Sequence, residues 1–297
     1  MKVLVSGASG LIGQEVEKSI SKQGHQVVPL KRGVKPGKTA CWDIENGIID
    51  LGEHQEIDVV IHFAGESIAE GRWSQQKKER IKNSRVNGTK LLSEHFSNTS
   101  YKPKLFLSSS AIGFYGNRGN EELSENSNKG TGFLSDVCAQ WENATSKLPQ
   151  AGIRVANIRL GMVLSSKGGA LQKMLFPFKI GFGGIIGDGK QYISWVTIDD
   201  VVGAVNHIIK TDTLSGAINV VAPTPVTNYV FTKTLGKALN RPIIFPLPAF
   251  VANIIFGEMA KELLLTSIRA FPKKLQKHGY DFKYTSLENA LTDIIAR

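Results

Sequence analysis

Gly7-Ala8-Ser9-Gly10-Leu11-Ile12-Gly13 spaces three glycines three residues apart, directly after the strand-like run Lys2-Val3-Leu4-Val5. Such a turn supports phosphate binding. Gly7 permits the tight turn, Gly10 lets backbone approach a pyrophosphate, and Gly13 lets the next helix pack on the strand, while the N-terminus of that helix supplies partial positive charge. Ser9, Leu11 and Ile12 lie in the same turn and belong with the glycines as expected cofactor contacts. The second strand ends Leu30-Lys31-Arg32, with two cations and no carboxylate where an acid would bind a ribose 2′-hydroxyl. A guanidinium makes charge-assisted bonds to a 2′-phosphate, so Lys31 and Arg32 favour NADP(H) over NAD(H). The other reading of this pair is two solvated surface cations. Asp43 and the segment Phe63-Ala64-Gly65-Glu66 are the expected adenine and ribose neighbours. Ser108, Ser109, Ser110 and Tyr115 end a further strand, on the carboxyl side where an open α/β sheet binds ligands.

These groups converge only if the chain folds as alternating strands and helices. Apolar runs at Lys2 to Ser6, Gln26 to Leu30, Asp58 to Phe63, Lys104 to Ser108 and Arg154 to Arg159 read as parallel strands. Between the first two, Ile12, Val16 and Ile20 recur at helical spacing, and Gly24 is a natural left-handed stop. Helices are expected from Ser74 to about Asn98, Phe133 to Lys147, Leu171 to Phe178 and Ile198 to Lys210, with a strand at Ala217 to Val221. The fold class that follows is α/β: a Rossmann-type doubly wound parallel sheet with helices on both faces and a smaller, mainly helical C-terminal lobe for substrate. Residues 1–160, completed by about 192–222, are the expected dinucleotide-binding domain, and 161–191 with 223–297 the smaller lobe. That lobe is expected to end in a short strand at Phe282 to Tyr284 and a helix capped by Thr285 or Ser286.

Composition narrows the partners. The 297 residues are 41% hydrophobic and 21% charged, ordinary values that exclude wholesale disorder. Cys41 and Cys138 have no second Cys or His at ligand spacing, so neither a disulfide framework nor a structural zinc site is expected, and no metal is assigned. Both read as reduced thiols in a cytoplasmic protein. The net charge of +10 admits nucleic acid, an anionic membrane or phosphorylated ligands, but the cations are scattered and not interleaved with aromatics, which argues against the first two. The most apolar stretch, Ile243 to Phe256, is broken by Pro246 and Pro248, is too short to span a bilayer, and reads as a buried helix rather than a surface one.

With the glycine turn, His62-Phe63-Ala64-Gly65, Gly88-Thr89, Ser108-Ser109-Ser110-Ala111 and Tyr115-Gly116 in this order, the chain resembles the extended short-chain dehydrogenase/reductases, the NAD-dependent epimerase/dehydratase family. Phe133-Leu134-Ser135, Trp141-Glu142 and Gly168-Gly169-Ala170 resemble an atypical subgroup named only as epimerase family proteins. Leu263-Leu264-Leu265, Phe271-Pro272 and Gly279-Tyr280 are similar to that subgroup's small C-terminal domain of unknown function. The resemblance implies hydride transfer at the nicotinamide with a tyrosine moving a hydroxyl proton, aided by a serine and by a lysine four residues after the tyrosine. On alignment those two positions fall near Leu134 and Cys138, neither able to do that work, and Arg85 replaces the family's asparagine. Tyr229 and Lys233 match the tyrosine–lysine spacing but lie in the other lobe.

Ser110, with Tyr115 as a substitute proton donor, is therefore the catalytic expectation. Tyr115 serves equally well as an aromatic packed over the pocket. Arg85, Arg159, Gly161, Trp195 and Asn219 are candidate pocket or cofactor residues, with Asp199, Asp200, Asn228 and Arg72 as further neighbours. The aspartates alternatively cap a helix, and Trp195 alternatively fills core. Three functions remain open: an NADP(H)-dependent oxidoreductase or epimerase-like enzyme on a small carbonyl or hydroxyl compound, a sugar-nucleotide epimerase with relocated acid and base, and a non-catalytic NADPH sensor or scaffold. A homodimer through the helix around Glu94 to Phe96 is a further expectation.

Overall fold

The computed structural model describes residues 1–33 and 39–297. In chain order the strands are β1 (Lys2–Ser6), β2 (Gln26–Arg32), β3 (Cys41–Asp43), β4 (Ile48–Asp50), β5 (Val59–His62), β6 (Leu105–Ala111), β7 (Glu122–Leu123) and β8 (Arg154–Leu160). They continue as β9 (Met162–Leu164), β10 (Tyr192–Ile193), β11 (Trp195–Thr197), β12 (Gly216–Val220), β13 (Val226–Thr227) and β14 (Arg269–Ala270). The α-helices are α1 (Leu11–Lys22), α2 (Gln75–Asn98), α3 (Phe133–Asn143), α4 (Gly169–Lys179) and α5 (Ile198–Lys210), then α6 (Asn228–Ala238), α7 (Ala249–Phe256), α8 (Lys273–Lys277) and α9 (Leu287–Ala296).

The main sheet runs β12-β8-β6-β5-β1-β2-β3-β4. Every neighbouring pair from β12 to β3 is parallel, and β4 closes the edge antiparallel to β3. Strand order reverses between β1 and β5, the switch point at whose carboxyl side doubly wound sheets open a crevice. Period-two alternation explains why such short strands suffice. Val3 and Val5 of β1 enter one apolar layer with Val16 and Ile20 of α1 and Val201, Val205 and Ile208 of α5, whereas Leu4 enters the opposite layer with Leu92 and Phe96 of α2. Phe96 is thereby core, and Glu94 pairs with Lys147 at 3.1 Å, so this stretch of α2 is engaged within the chain. A third layer joins Leu171 of α4, Phe231 and Leu235 of α6 and Leu291 of α9.

Local chemistry sets the helix ends. Ser74 caps α2 by accepting from the Lys77 amide at 3.2 Å, and Thr197 caps α5 by accepting from the Asp200 amide at 3.1 Å. Gly24, at φ 78°, ends α1 as its left-handed stop. Two expectations are corrected. Phe282 to Tyr284 form no strand, because the Lys283 and Tyr284 amides donate to the buried Asp200 carboxylate at 2.7 and 3.2 Å instead of to a ladder. The Ile243 to Phe256 stretch is not a buried helix: α7 begins only after Pro248, Ala252 is its one fully buried residue, and Phe250, Ile254 and Ile255 face solvent. Among the described residues no helix is long and apolar enough to cross a membrane.

Candidate functional site

The glycine turn is built by contact. Gly7 takes φ 73° and lies so close to the end of β5 that a Cβ there would stand 2.7 Å from the Ala64 amide nitrogen. A Cβ on Gly13 would sit 2.2 Å from the Gly7 carbonyl oxygen, so α1 packs directly on the turn. Gly10 is the N-cap of α1, with no side-chain cap and no acid in the first helical turn. Ser9, Leu11 and Ile12 are half-buried or exposed around this opening, where Gly168 and Gly169 approach the Leu11 side chain. Lys167 pairs with Glu15 of α1 at 3.1 Å and pins that glycine segment to the helix.

Lys31 and Arg32 are exposed at the end of β2, and among the described residues neither makes an ion pair. Arg32 contributes to the field that, after the hydrogen bond from Lys77, holds the Glu66 carboxyl below its ordinary value. Glu66 itself pairs with Lys77 at 2.7 Å, and its amide donates to Ser84 Oγ. Asp43 spends its carboxylate on its own turn, accepting from the Glu45 and Asn46 amides and from Asn46 Nδ2. Phe63, Ala64 and Gly65 lie between the glycine turn and Arg85, whose Cζ would stand 3.3 Å from a Cβ on Gly65. Burial holds the Arg85 pKa below its ordinary value, and the guanidinium lies over the Trp141 ring at 5.1 Å. Beneath this end, His62 is fully buried, with Nδ1 2.5 Å from Ser6 Oγ and an edge-on contact to Trp42. Burial, with Arg85 nearby, lowers its pKa from 6.5 to about 3.

At the neighbouring strand ends the side chains close on one another. Ser109 Oγ donates to the His62 carbonyl at 3.0 Å, Ser108 Oγ to the Ser109 carbonyl at 3.3 Å, and Ser110 Oγ to Glu142 Oε1 at 2.7 Å. Glu142 also takes a two-pronged ion pair from Arg159, both contacts at 2.8 Å. Arg159 Nη1 donates to Tyr115 Oη at 2.9 Å, and that phenol donates among the Ser124 carbonyl and Asn219 Oδ1 at 2.9 and 2.7 Å. Asn219 Nδ2 reaches the Phe271 carbonyl. Tyr115 is fully buried, and burial holds its pKa above the ordinary phenol value. For Arg159 burial works against the charge, yet Glu142 and Tyr115 outweigh it and hold the pKa above the ordinary arginine value.

The structure thus brings Ser110, Tyr115, Arg159 and Asn219 together, with their polar atoms turned to each other. Glu142 links them. It stands four residues after Cys138 and eight after Leu134, on the same face of α3, and that spacing was the readable signal for it. Leu134 and Cys138 face Gly113, and burial, with the Glu142 charge, pushes the Cys138 thiol up to about 12. Beside Gly113 lies a cavity of about 220 Å³, reached by Gly132 and Leu134 of the α3 entrance and by Lys261, Glu262 and Thr266. Glu262 accepts from the Phe133 and Leu134 amides at 3.3 and 3.2 Å, closing the N-terminus of α3 from a distant part of the chain.

Other named residues have structural posts. Trp195 is fully buried in the third apolar layer, with its indole N–H on the Thr224 carbonyl. A Cβ on Gly161 would stand 2.5 Å from the Ser194 carbonyl oxygen, so this glycine serves the approach of two segments. Asp200 joins α5 to the C-terminal tail, Asp199 pairs with Lys283 and Arg297, and Asn228 accepts from the Ile186 amide. Arg72 donates to the Ile254 carbonyl at 2.6 Å. Tyr229 is exposed and its ring lies 5.9 Å from Lys233 Nζ.

Residues 3–221 match the NAD dependent epimerase/dehydratase family, and residues 247–294 match a domain of unknown function, DUF1731. The epimerase family protein Mb2239 of Mycobacterium bovis is 36% identical over 290 residues, covering 97% of this chain and 96% of that protein. The Homo sapiens epimerase family protein SDR39U1 is 33% identical over 299 residues, covering both chains in full. The crystal structure of human SDR39U1 (isoform2) with NADPH superimposes with a TM-score of 0.91 at 31% identity and full coverage of both chains. The sheet order, the glycine turn and these likenesses agree, and the chain belongs to the NAD-dependent epimerase/dehydratase family, with the short-chain dehydrogenase/reductase type of NAD(P)-binding Rossmann fold.

Proposed function

We propose that this chain binds NADPH in preference to NADH and acts as an atypical reductase or epimerase-like enzyme on a small carbonyl or hydroxyl compound. The observation that carries the cofactor reading is the bare N-terminus of α1, opened by a turn in which Gly7 and Gly13 have no room for a side chain, with exposed Lys31 and Arg32 at the end of the neighbouring strand. Amides of the α1 turn would hold the pyrophosphate and the two cations a 2′-phosphate. NADPH in a crystal structure of the human relative supports the same reading. Phe63 to Gly65 would border the ribose side. Bound there, the cofactor supplies a hydride from its nicotinamide.

Reduction of a carbonyl also needs a proton on oxygen, and the positions of the usual tyrosine–lysine relay fall near Leu134 and Cys138, which cannot supply it. Ser110 and Tyr115 do not stand in for it while their hydroxyls are held by Glu142, Arg159 and Asn219. Lys261 and Glu262 are the titratable groups lining the cavity beside Leu134, and Glu262 is occupied at the α3 entrance. Lys261, exposed at this cavity, is therefore the group we assign to deliver a proton. A second reading, a non-catalytic NADPH sensor, is favoured by the same closed network around Ser110 and Tyr115.

A parallel titration with NADPH and NADH, followed by energy transfer from tryptophan to the nicotinamide, tests the cofactor reading. NADPH is expected to bind more tightly, and Arg32→Ala to weaken NADPH roughly tenfold or more with little effect on NADH. Equal loss for both removes the 2′-phosphate contact, and no binding of either removes the proposal. Once a carbonyl substrate is found by NADPH oxidation, Lys261→Met is expected to lower turnover with NADPH affinity unchanged. A carbonyl screen without turnover favours the sensor.

A further inference from the structure

A feature that the cofactor reading leaves unused is an apolar surface on α4, the segment after it, the stretch leading into α7, and α7 itself. Phe176 is 69% exposed, Phe182 70%, Phe250 67% and Ile254 68%, with Ile180, Ile244, Phe245 and Ile255 also open to solvent. The pieces are joined: the Phe182 and Phe245 rings stack at 5.9 Å, and Arg241 Nε donates to the Lys179 carbonyl at the end of α4. Isolated exposed apolar residues need no explanation, but this many large ones on connected segments do. Residues 169–187 and 240–257 hold no aspartate or glutamate, while Lys173, Lys179 and Arg241 lie exposed among the aromatics. Of the acids that bound these stretches, Glu258 is paired with Lys78 at 2.8 Å, and exposed Asp188 accepts from the Lys190 amide.

We propose that this surface docks on an anionic lipid bilayer, with Phe176, Phe182, Phe250 and Ile254 entering the headgroup boundary and Lys173, Lys179 and Arg241 meeting lipid phosphates. Aromatic and aliphatic side chains interspersed with cations are what interfacial adsorption requires. A second copy is disfavoured by charge, because a two-fold contact sets the same cations of both copies against one another. Scattered along the sequence, the cations gave no sign of a membrane partner; folding collects three of them beside the apolar face. Lys173 Nζ donates to the Ala69 carbonyl and Arg72 to the Ile254 carbonyl, so α4 and α7 both border the loop that follows β5. A docked chain would turn that loop toward the bilayer. The proposal is independent of which nicotinamide cofactor binds.

Co-sedimentation of the full chain with phosphatidylcholine vesicles, with and without phosphatidylglycerol, tests it. Pelleting is expected with the phosphatidylglycerol vesicles and is expected to fall as salt is raised. Phe250→Glu/Ile254→Glu should reduce it at least about tenfold, and Lys173→Gln/Lys179→Gln roughly tenfold, each with an unchanged Tm to show an intact fold. No pelleting with either vesicle overturns the proposal, as does pelleting that neither double variant weakens. A stable dimer in sedimentation velocity that Phe250→Glu/Ile254→Glu converts to monomer also overturns it, since the surface is then covered by a second copy.

Discussion

Two helices of this fold, α1 and α3, each open behind a glycine N-cap that offers no side chain, and they meet different fates. At α1 the first turn carries no acid, and the N-cap, Gly10, presents no side chain to the amides. At α3 the chain brings its own carboxylate, Glu262, onto the Phe133 and Leu134 amides, and Gly132 leaves just the space that this carboxylate uses, since a Cβ there would stand 2.7 Å from Glu262 Oε1. Helix N-termini attract anions wherever they are exposed. One end is left for a ligand and the other is satisfied from within, which separates a binding edge from a self-contained one on the same sheet.

The polar groups near the two helices differ in kind, and acid should tell them apart. Under the α1 end His62 is buried and uncharged, its pKa lowered to about 3 from 6.5. The neutral form is bound more tightly by the folded state, so its contribution is complete above about pH 6.5 and drains as pH falls toward 3, on the order of 5 kcal/mol across the whole window. Urea midpoints measured from neutral pH down to the ordinary glutamate value of 4.5 read it together with His95, whose pKa burial also lowers, while the carboxylates with lowered values act below that range; the His62 share is the part that a His62 variant removes. His62→Gln should flatten the slope; a wild-type midpoint constant over that range would break this half of the comparison.

Beside the last turn of α3, at the far end of that helix from Glu262, the polar groups are charged and paired. Glu142→Ala strips Arg159 and Ser110 of their common partner and should cost about 3–5 kcal/mol, because a buried guanidinium is left unmatched. Chemical denaturation reads this directly. Tyr115→Phe serves as the contrast, expected to lose about 1 kcal/mol and no more. At the binding edge the test is affinity rather than stability. Gly13→Ala drives a methyl against the Gly7 carbonyl and is expected to weaken NADPH about a hundredfold. A normal Kd in that variant would mean that the α1 turn is not where the cofactor sits.

How much of this was legible depended on the range of the interaction. Strands β1, β5 and β6 each carry an apolar run of three residues, 3–5, 59–61 and 105–107, covered on both faces, and α1 declares itself by Val16 and Ile20 one turn apart, so local pattern and tertiary role coincide. The glycine turn was readable for the same reason. Ser110 and Tyr115 were placed correctly at the carboxyl edge, but no local pattern says which way a hydroxyl turns; that is decided by Glu142 from α3 and Arg159 from β8. Glu262 was invisible because it acts 129 residues from the amide it receives. Asp200 likewise diverts Lys283 and Tyr284 from a strand across 83 and 84 residues. The apolar α7 misled in the opposite direction. Hydropathy along a stretch reports the company a helix would prefer, whereas Pro248 confines α7 to about two turns with a single small residue, Ala252, fully inside.

The smallest effect bears most directly on the contrast between the two helix ends. Glu262→Ala removes both acceptors from the α3 entrance while leaving the glycine turn untouched, and the loss should be about 1 kcal/mol, the usual worth of a cap. A side chain that merely packed would cost a similar amount, so stability alone does not decide the matter. The deciding readout is anion response. With the carboxylate gone, the Phe133 and Leu134 amides face the cavity of about 220 Å³ and should accept a sulfate, so added sulfate should raise the Tm of Glu262→Ala more than that of the parent. Sodium chloride at matched ionic strength should not reproduce the gain, and NADPH affinity should be unchanged. Equal sulfate shifts in parent and variant would show that the α3 end has no anion site for Glu262 to fill, and the comparison would reduce to the bare end at α1 alone.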